Sequence, residues 1–318
     1  MKLKTENKRF IFDQPKITGF KFYLKKCLVA VYCALKKMHM DLFHHNKAQQ
    51  KKFNVSICAI FKNEANYLKE WIEFHKIVGI EHFYMYNNNS EDGFKKALSP
   101  YIEEGTVTLV NWTKNQAQME AYRDAAKRFG SETKWLGFID IDEFVNPIKY
   151  DNVYDFLRKF EKNRGAVMIY WKIFGASGML ERDLNGLVTE DFTVCWNKHS
   201  NIGKCFLNTE YQLSDKRNET LHHCMWTKRH RMLLPPVNQF GAVSAFGRNI
   251  ATSDEFDIQI NHYFTKSYQE YLNKKSKGDV YFQINPHDEE YFYEHEMKCT
   301  SVDFSIYKYI VKLKEKLK

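Results

Sequence analysis

Trp135-Leu136-Gly137-Phe138-Ile139-Asp140-Ile141-Asp142-Glu143-Phe144 (WLGFIDIDEF) is the stretch on which the fold turns. A short apolar run, Trp135 to Ile139, reads as a buried strand, and it passes directly into three acids within four positions. Residues i and i+2 of an extended chain share a face, so Asp140 and Asp142 present their carboxylates to the same side. Upstream, Val55 to Phe61 (VSICAIF), His82 to Tyr86 (HFYMY) and Val107 to Trp112 (VTLVNW) have the same short, β-branched or aromatic character. Helical periodicity fills the intervals. Leu68, Trp71, Ile72, Phe74, Ile77 and Val78 mark one helix ended by Gly79, a second runs from about Phe94 to Ile102, and a third covers Gln116 to Phe129. This β-α-β-α-β-α-β order predicts an α/β fold with a mostly parallel central sheet and right-handed crossovers. Such sheets bind ligands beyond the carboxyl ends of their strands. Lys62-Asn63-Glu64, the turn Asn87 to Asp92 and the acids at 140–143 all fall at those ends. Neither a GxGxxG fingerprint nor a GxxxxGK[ST] loop is present.

Two hard oxygen ligands at a strand end suit Mn²⁺ or Mg²⁺ better than zinc. A cation held this way takes substrate phosphates into its shell and neutralises charge on a departing diphosphate. Without a counter-ion, the clustered carboxylates repel one another and their pKa values rise. The plainer alternative for an Asp-x-Asp pair is a solvated acidic turn.

Charge separates the chain into three parts. Of the net +9 carried by 318 residues, residues 1–52 contribute thirteen basic and three acidic side chains, and residues 301–318 five and two. Residues 53–300 hold thirty basic and thirty-four acidic residues and are slightly acidic. A basic folded face is the footprint of a nucleic-acid binder, and this distribution points to no nucleic-acid partner. The expected organisation is a basic amphipathic N-terminal extension (1–52), one catalytic-sized domain (53–300) and a basic amphipathic C-terminal helix (301–318). Phe20, Leu24, Cys27, Leu28, Val31, Leu35 and Met38 recur at helical spacing between lysines, as do Ile306, Ile310, Leu313 and Leu317. Both segments read either as helices packed on the core or as membrane-surface helices. No apolar run nears the roughly 20 residues of a span, and no secretion signal is legible. Seven cysteines without regular spacing fit reduced thiols. Together these give an expected location in the cytoplasm, peripheral on the inner face of the cell membrane, with an anionic surface as partner of the basic ends.

The spaced residues Lys62-Asn63-Glu64, Tyr67-Leu68-x-Glu70-Trp71, His75 and Gly79, and the turn Tyr86-Asn87-Asn88-Asn89-Ser90, resemble glycosyltransferase family 92. So do Gln116, Tyr122-x-Asp124, the 135–144 block, Trp171-x-x-Phe174-Gly175-x-Ser177-Gly178 and Asn261-His262-Tyr263-Phe264-x-Lys266-Ser267. The resemblance covers about 55–280 and is taken as that of a bacterial-type member. It implies a GT-A fold (three-layer α/β/α, Rossmann-like), a nucleotide-sugar donor, a divalent metal and transfer with inversion.

On that resemblance, Asp140 and Asp142 are the expected metal ligands, completed by the late histidine His262; a core histidine is the alternative. Asn63 and Glu64 are expected to hold the base or ribose of the nucleotide, although a helix start explains them too. Asn88 and Asp92 line the same pocket or serve as ordinary turn residues. Gln116, Tyr122 and Asp124 lie on the helix entering the Asp-x-Asp strand, some of them facing the donor. Lys266 pairs with a diphosphate oxygen or is solvated. Inversion needs a carboxylate to take the proton from the acceptor hydroxyl. Glu190 is the expected base, with Asp191, Asp183 and Glu181 as competitors. Trp171 and Phe174 form a sugar platform or belong to the core. His199, Cys205, His222, His223 and Cys224 lack the paired spacing of a zinc site.

The expected activity is metal-dependent, inverting transfer of a hexose from a nucleotide sugar, a UDP-sugar such as UDP-galactose, to a saccharide hydroxyl. The acceptor would be a cell-surface glycan or glycolipid precursor, such as a lipopolysaccharide core or capsule unit. Two other classes stay open at this point: a metal-dependent phosphotransferase or nuclease, and a non-catalytic saccharide-binding module on a membrane.

Overall fold

The helix expected near the N-terminus forms as α1 (Phe20–Phe43) in the computed structural model, which describes residues 19–43, 50–276 and 288–318. The rest of the N-terminal extension, 1–18 and 44–49, lies outside the described residues. The chain then alternates as the periodicity requires: β1 (Phe53–Phe61), α2 (Ala65–Ile77), β2 (His82–Asn87), α3 (Phe94–Glu103), β3 (Val107–Asn111), α4 (Gln118–Phe129) and β4 (Thr133–Phe138). These four strands are parallel, in the order β3-β2-β1-β4.

Alternation along β1 explains the layering. Val55, Ile57, Ala59 and Phe61 enter one core, and Cys58 and Ile60 enter another. In β2, Phe83 and Met85 join the first core while Tyr84 and Tyr86 join the second. A strand buried on both faces needs helices on both. From α2 come Leu68, Trp71, Ile72 and Phe74 on one side; from α4 come Ala121, Tyr122, Ala125 and Phe129 on the other. The end of α2 is fixed by Gly79, whose φ of +89° suits glycine and whose position a Cβ would contest with Asn152 at 2.8 Å.

Beyond β4 the parallel pattern stops. β5 (Glu143–Pro147), α5 (Val153–Leu157) and β6 (Ala166–Ile173) follow, then α6 (Val188–Asp191), β7 (Val194–Cys195) and β8 (Gly203–Asn208). Short strands β9 (Gln212–Leu213), β10 (Thr227–Arg229), β11 (Met232–Leu234) and β12 (Val237–Asn238) precede β13 (Ile258–His262) and α7 (Tyr268–Ser276). The chain closes with α8 (Glu289–Glu296), β14 (Ser301–Val302) and α9 (Ile310–Leu317). The main sheet continues β4-β8-β6-β13-β5, with β8 antiparallel to both its neighbours and β5 antiparallel to β13. Two reversals leave β6 and β13 running with β4, so Ile173 and His262 end on the same edge as Asp140. The architecture is a three-layer α/β/α sandwich with a mostly parallel sheet.

Two expectations shift. The helix expected from Gln116 begins at Gln118, because Gln116 takes a left-handed φ of 52° in the preceding turn. The C-terminal helix spends its apolar face on the core: Ile306 and Leu313 are buried there, and Lys69 Nζ donates to the Leu317 carbonyl at 2.9 Å. That face is therefore not offered to a membrane. α1 divides its surface, burying Cys33 and Met40 and leaving Leu24, Leu28, Val31, Leu35, Met38 and Leu42 exposed.

Candidate active site

The acids after β4 sit where the sheet topology gathers strand ends from distant sequence. Register pairs Glu143 of β5 with His262 of β13, and His262 lies beside Ile173 of β6. The Asp140 carboxylate is fully occupied. Its Oδ1 accepts from the Tyr122 hydroxyl at 2.9 Å and Gln118 Nε2 at 3.1 Å, and its Oδ2 takes Lys204 Nζ at 2.5 Å. Lys204, on β8, has a side chain 1% exposed and reaches Glu143 Oε2 at 3.5 Å as well. Burial alone would lower the pKa of this lysine, but Asp140 and Glu143 raise it above its ordinary value.

Asp142 and Glu143 behave differently. Asp142 Oδ2 meets Lys274 Nζ of α7 at 2.5 Å and faces His262 Nε2 at 3.7 Å. Its burial works against the charged form, yet Lys274 and His262 hold its carboxyl well below the usual range. Glu143 is wholly buried; that burial, with Lys204 opposing and Asp140 and Asp142 adding, pushes its carboxyl well above the usual range. Glu143 Oε2 accepts the Asp140 amide at 3.0 Å, whereas Oε1 has no hydrogen-bond partner and lies 4.0 Å from His262 Nε2. Burial lowers the pKa of His262, with Asp142 opposing, which favours a neutral ring.

One ligand atom each from Asp142, Glu143 and His262 therefore falls within 4.8 Å of the other two. Two carboxylate oxygens and an imidazole nitrogen suit Mn²⁺, and the unpartnered Glu143 oxygen is the kind of orphan that a cation satisfies. The residues fit the implied metal. This candidate set shares Asp142 and His262 with the expected ligands and has Glu143 in place of Asp140, which is bonded to Lys204. The five His and Cys residues set aside as a zinc site belong to neither ligand cluster found among the described residues; the second such cluster is His295, Glu296 and Cys299.

A cleft of about 900 Å³ opens beside the triad, lined by the start of α2, the turn before α3, and α7. Asn63, Glu64, Asp92, Lys266 and Lys274 are on its wall. Asn63 takes a φ of 55°, donates its amide to Ser90 Oγ and accepts the Glu91 amide on Oδ1, so it clips the two loops together. Asp92 caps both helices, accepting from the amides of Ala65 at 2.8 Å and Phe94 at 3.3 Å. Asn88 is buried and donates to the carbonyls of Trp112 and Lys114, each at 2.8 Å. It shapes the loop without lining the cleft. Lys266 is buried with its ammonium 4.2 Å from the Tyr67 ring centroid; burial lowers its pKa, opposed by Glu64 and Asp142.

The remaining expected residues lie elsewhere. Gln116 is exposed in its turn, and Asp124 accepts from the Tyr86 hydroxyl at 2.7 Å and pairs with Arg128. Gln118 and Tyr122 are the α4 residues that reach the acids. Glu190, on α6, pairs with Lys314 of α9 at 2.6 Å and does not line the cleft. Asp191 pairs with Arg182 at 3.3 Å, and Arg182 also reaches Glu270 on the cleft wall. Trp171 packs on His262 with centroids 4.6 Å apart, while Phe174 is core. Lys204 and Lys274 carry no local pattern that marks them.

The arrangement pairs a cation site with lysines beside a cleft, the chemistry of a phosphate-bearing ligand with a divalent metal. The family model for glycosyltransferase family 92 matches residues 51–297. A family 92 protein from Oryza sativa subsp. japonica is 31% identical over 144 residues, 44% of this chain and 25% of that protein. The beta-1,4-galactosyltransferase galt-1 of Caenorhabditis elegans is 34% identical over 110 residues, 30% of this chain and 26% of that one. The galactan beta-1,4-galactosyltransferase GALS3 of Arabidopsis thaliana is 30% identical over 130 residues, 36% and 25% respectively. The chain thus spans about a quarter of the length of these curated relatives, which come from plants and a nematode and do not support the expected bacterial-type membership. Among solved structures, S. aureus TarS 1–349 overlaps with a TM-score of 0.39 at 9% identity, covering 70% of this chain and 64% of that one, and nothing here rests on it. With more than three quarters of its length matched by the family model, the chain belongs to glycosyltransferase family 92.

Proposed function

We infer that this glycosyltransferase moves a hexose from a UDP-sugar, UDP-galactose among the candidates, to a saccharide hydroxyl, with inversion and with a divalent cation. The observation that carries this reading is the convergence of Asp142, Glu143 and His262 beside a cleft walled by Lys266 and Lys274. When bound, Mn²⁺ or Mg²⁺ neutralises charge on the departing diphosphate. The protein's own residues do the rest. Lys266 and Lys274 offer ammonium groups to phosphate oxygens, and Lys204, Tyr122 and Gln118 hold the orientation of Asp140. Asn63 and Asp92 set the shape of the nucleotide end by tying the loops that form it. Trp171, tilted against His262 with ring centroids 4.6 Å apart, is the candidate aromatic platform for an acceptor sugar.

For the acceptor proton, Asp191 fits better than Glu190. Burial raises the Asp191 carboxyl despite Arg182, and Arg182 links it to Glu270 at the cleft. Glu190 is engaged by Lys314 on the outer surface. The basic N-terminal helix is read as holding the enzyme at an anionic membrane face, where a glycolipid or cell-surface glycan precursor would be the acceptor. A thermal-shift panel of nucleotide diphosphates and nucleotide sugars, with and without Mn²⁺, tests the donor assignment. UDP and a UDP-hexose should raise Tm only with Mn²⁺; equal shifts with ADP or GDP, or none with any nucleotide, contradict it.

A further inference from the structure

Asp142 Oδ2 is claimed twice. It faces His262 Nε2 at 3.7 Å within the Asp142–Glu143–His262 ligand set, and it is in contact with Lys274 Nζ at 2.5 Å. The two lysines of the site are not alike. Lys204 rises from a sheet strand, is 1% exposed and bonds Asp140, which lies outside the ligand set. Lys274 stands in the last turns of α7 with 40% of its side chain exposed. Its ammonium lies 4.4 Å from the Phe264 ring centroid, and its side chain lines the cleft. A buried cation and a partly exposed one therefore face the two aspartates.

We propose that Lys274 is a resident counter-ion for Asp142 that a divalent cation displaces, and that the freed ammonium then engages the diphosphate of the donor in the same cleft. This proposal rests on the cation-site reading above and adds a coupling between metal and nucleotide. An ammonium at hydrogen-bond distance from a ligand carboxylate repels a divalent cation bound to the same group, so Lys274 lowers the affinity for metal alone. A bound diphosphate supplies a new partner for Lys274, so nucleotide reduces that cost and tightens metal binding. Reciprocity requires the metal to tighten nucleotide binding by the same factor. Cationic charge thus stays on Asp142 at every stage, and the buried carboxylate is never left alone with Glu143.

Mn²⁺ titrations of the full chain, read by electron paramagnetic resonance of free Mn²⁺ with and without UDP, test this. In the wild type, UDP should tighten Mn²⁺ binding by about tenfold or more, within the usual range of coupling between sites. Lys274→Gln should bind Mn²⁺ alone several-fold more tightly, and UDP should add less to its affinity than in the wild type. Lys96→Gln, which removes another cleft lysine not in contact with Asp142, should leave Mn²⁺ binding within about twofold. Unchanged or weaker Mn²⁺ binding by Lys274→Gln overturns the proposal, as does an equal gain in Lys96→Gln, which would mean long-range charge alone. If Asp142→Asn retains wild-type Mn²⁺ affinity, the cation site itself has been misplaced, a different failure with its own signature.

Discussion

At the scale of single residues, three acids within four positions have three separate fates. Asp140 is spent on Lys204, Tyr122 and Gln118; Asp142 is shared between Lys274 and the ligand set; Glu143 keeps a bare oxygen beside His262. The motif itself was legible, because a strand ending in acids is a local pattern. Which acid does what was not, since Lys204 and Lys274 are ordinary lysines in sequence and arrive from 64 and 132 residues away. The misassignment on α4 is of the same kind. Tyr122 reaches Asp140, but one turn earlier it is Gln118 that joins it, while Asp124 turns toward Tyr86. The two candidate bases separate experimentally. Asp191→Asn should lower kcat by about 10²- to 10⁴-fold, the usual worth of a general base, and Glu190→Gln should change it less than twofold. Because burial raises the Asp191 carboxyl, the active, deprotonated form is lost as pH falls through a value above the ordinary carboxylate range. The acid limb of the kcat–pH profile should therefore lie above that range in the wild type and in Glu190→Gln.

At the scale of elements, the four parallel strands and their helices followed from periodicity, since each is specified by its own residues. The second half of the sheet did not. β5, β8 and β13 are short, and their places depend on pairings such as Glu143 with His262 that no local window contains. The termini show the same limit. Helical spacing alone could not say which side of α9 or α1 meets the core. α9 buries its apolar residues against α2, whereas α1 leaves a stripe at Leu24, Leu28, Val31, Leu35, Met38 and Leu42, each about half exposed, beside five lysines. Among the described residues no helix is long and apolar enough to cross a membrane. An exposed apolar stripe flanked by lysines suits binding in the plane of an anionic surface. Leu28→Ser with Leu35→Ser should cut co-sedimentation with phosphatidylserine vesicles by about tenfold or more, given some 1–2 kcal/mol for each apolar side chain withdrawn. Full retention by that double variant contradicts surface binding through α1.

At the scale of the whole molecule, the charge partition acquires a structure. The slightly acidic middle of the chain contains the acids, the lysines and the cleft, and among the described residues its basic ends contribute the helices α1 and α9. The sheet's mixed second half carries His262 and Lys204 to the edge where β4 delivers its acids, and α7 adds Lys274. Function thus depends on the parallel and mixed halves meeting at one edge. Release of UDP from a UDP-hexose, measured with a saccharide acceptor panel in wild type and Asp142→Asn, tests that account most directly. It predicts turnover that requires Mn²⁺ or Mg²⁺, is abolished by chelation and restored by metal, and falls at least about 10²-fold in Asp142→Asn. Turnover at full rate in the presence of chelator, or in Asp142→Asn, would contradict it.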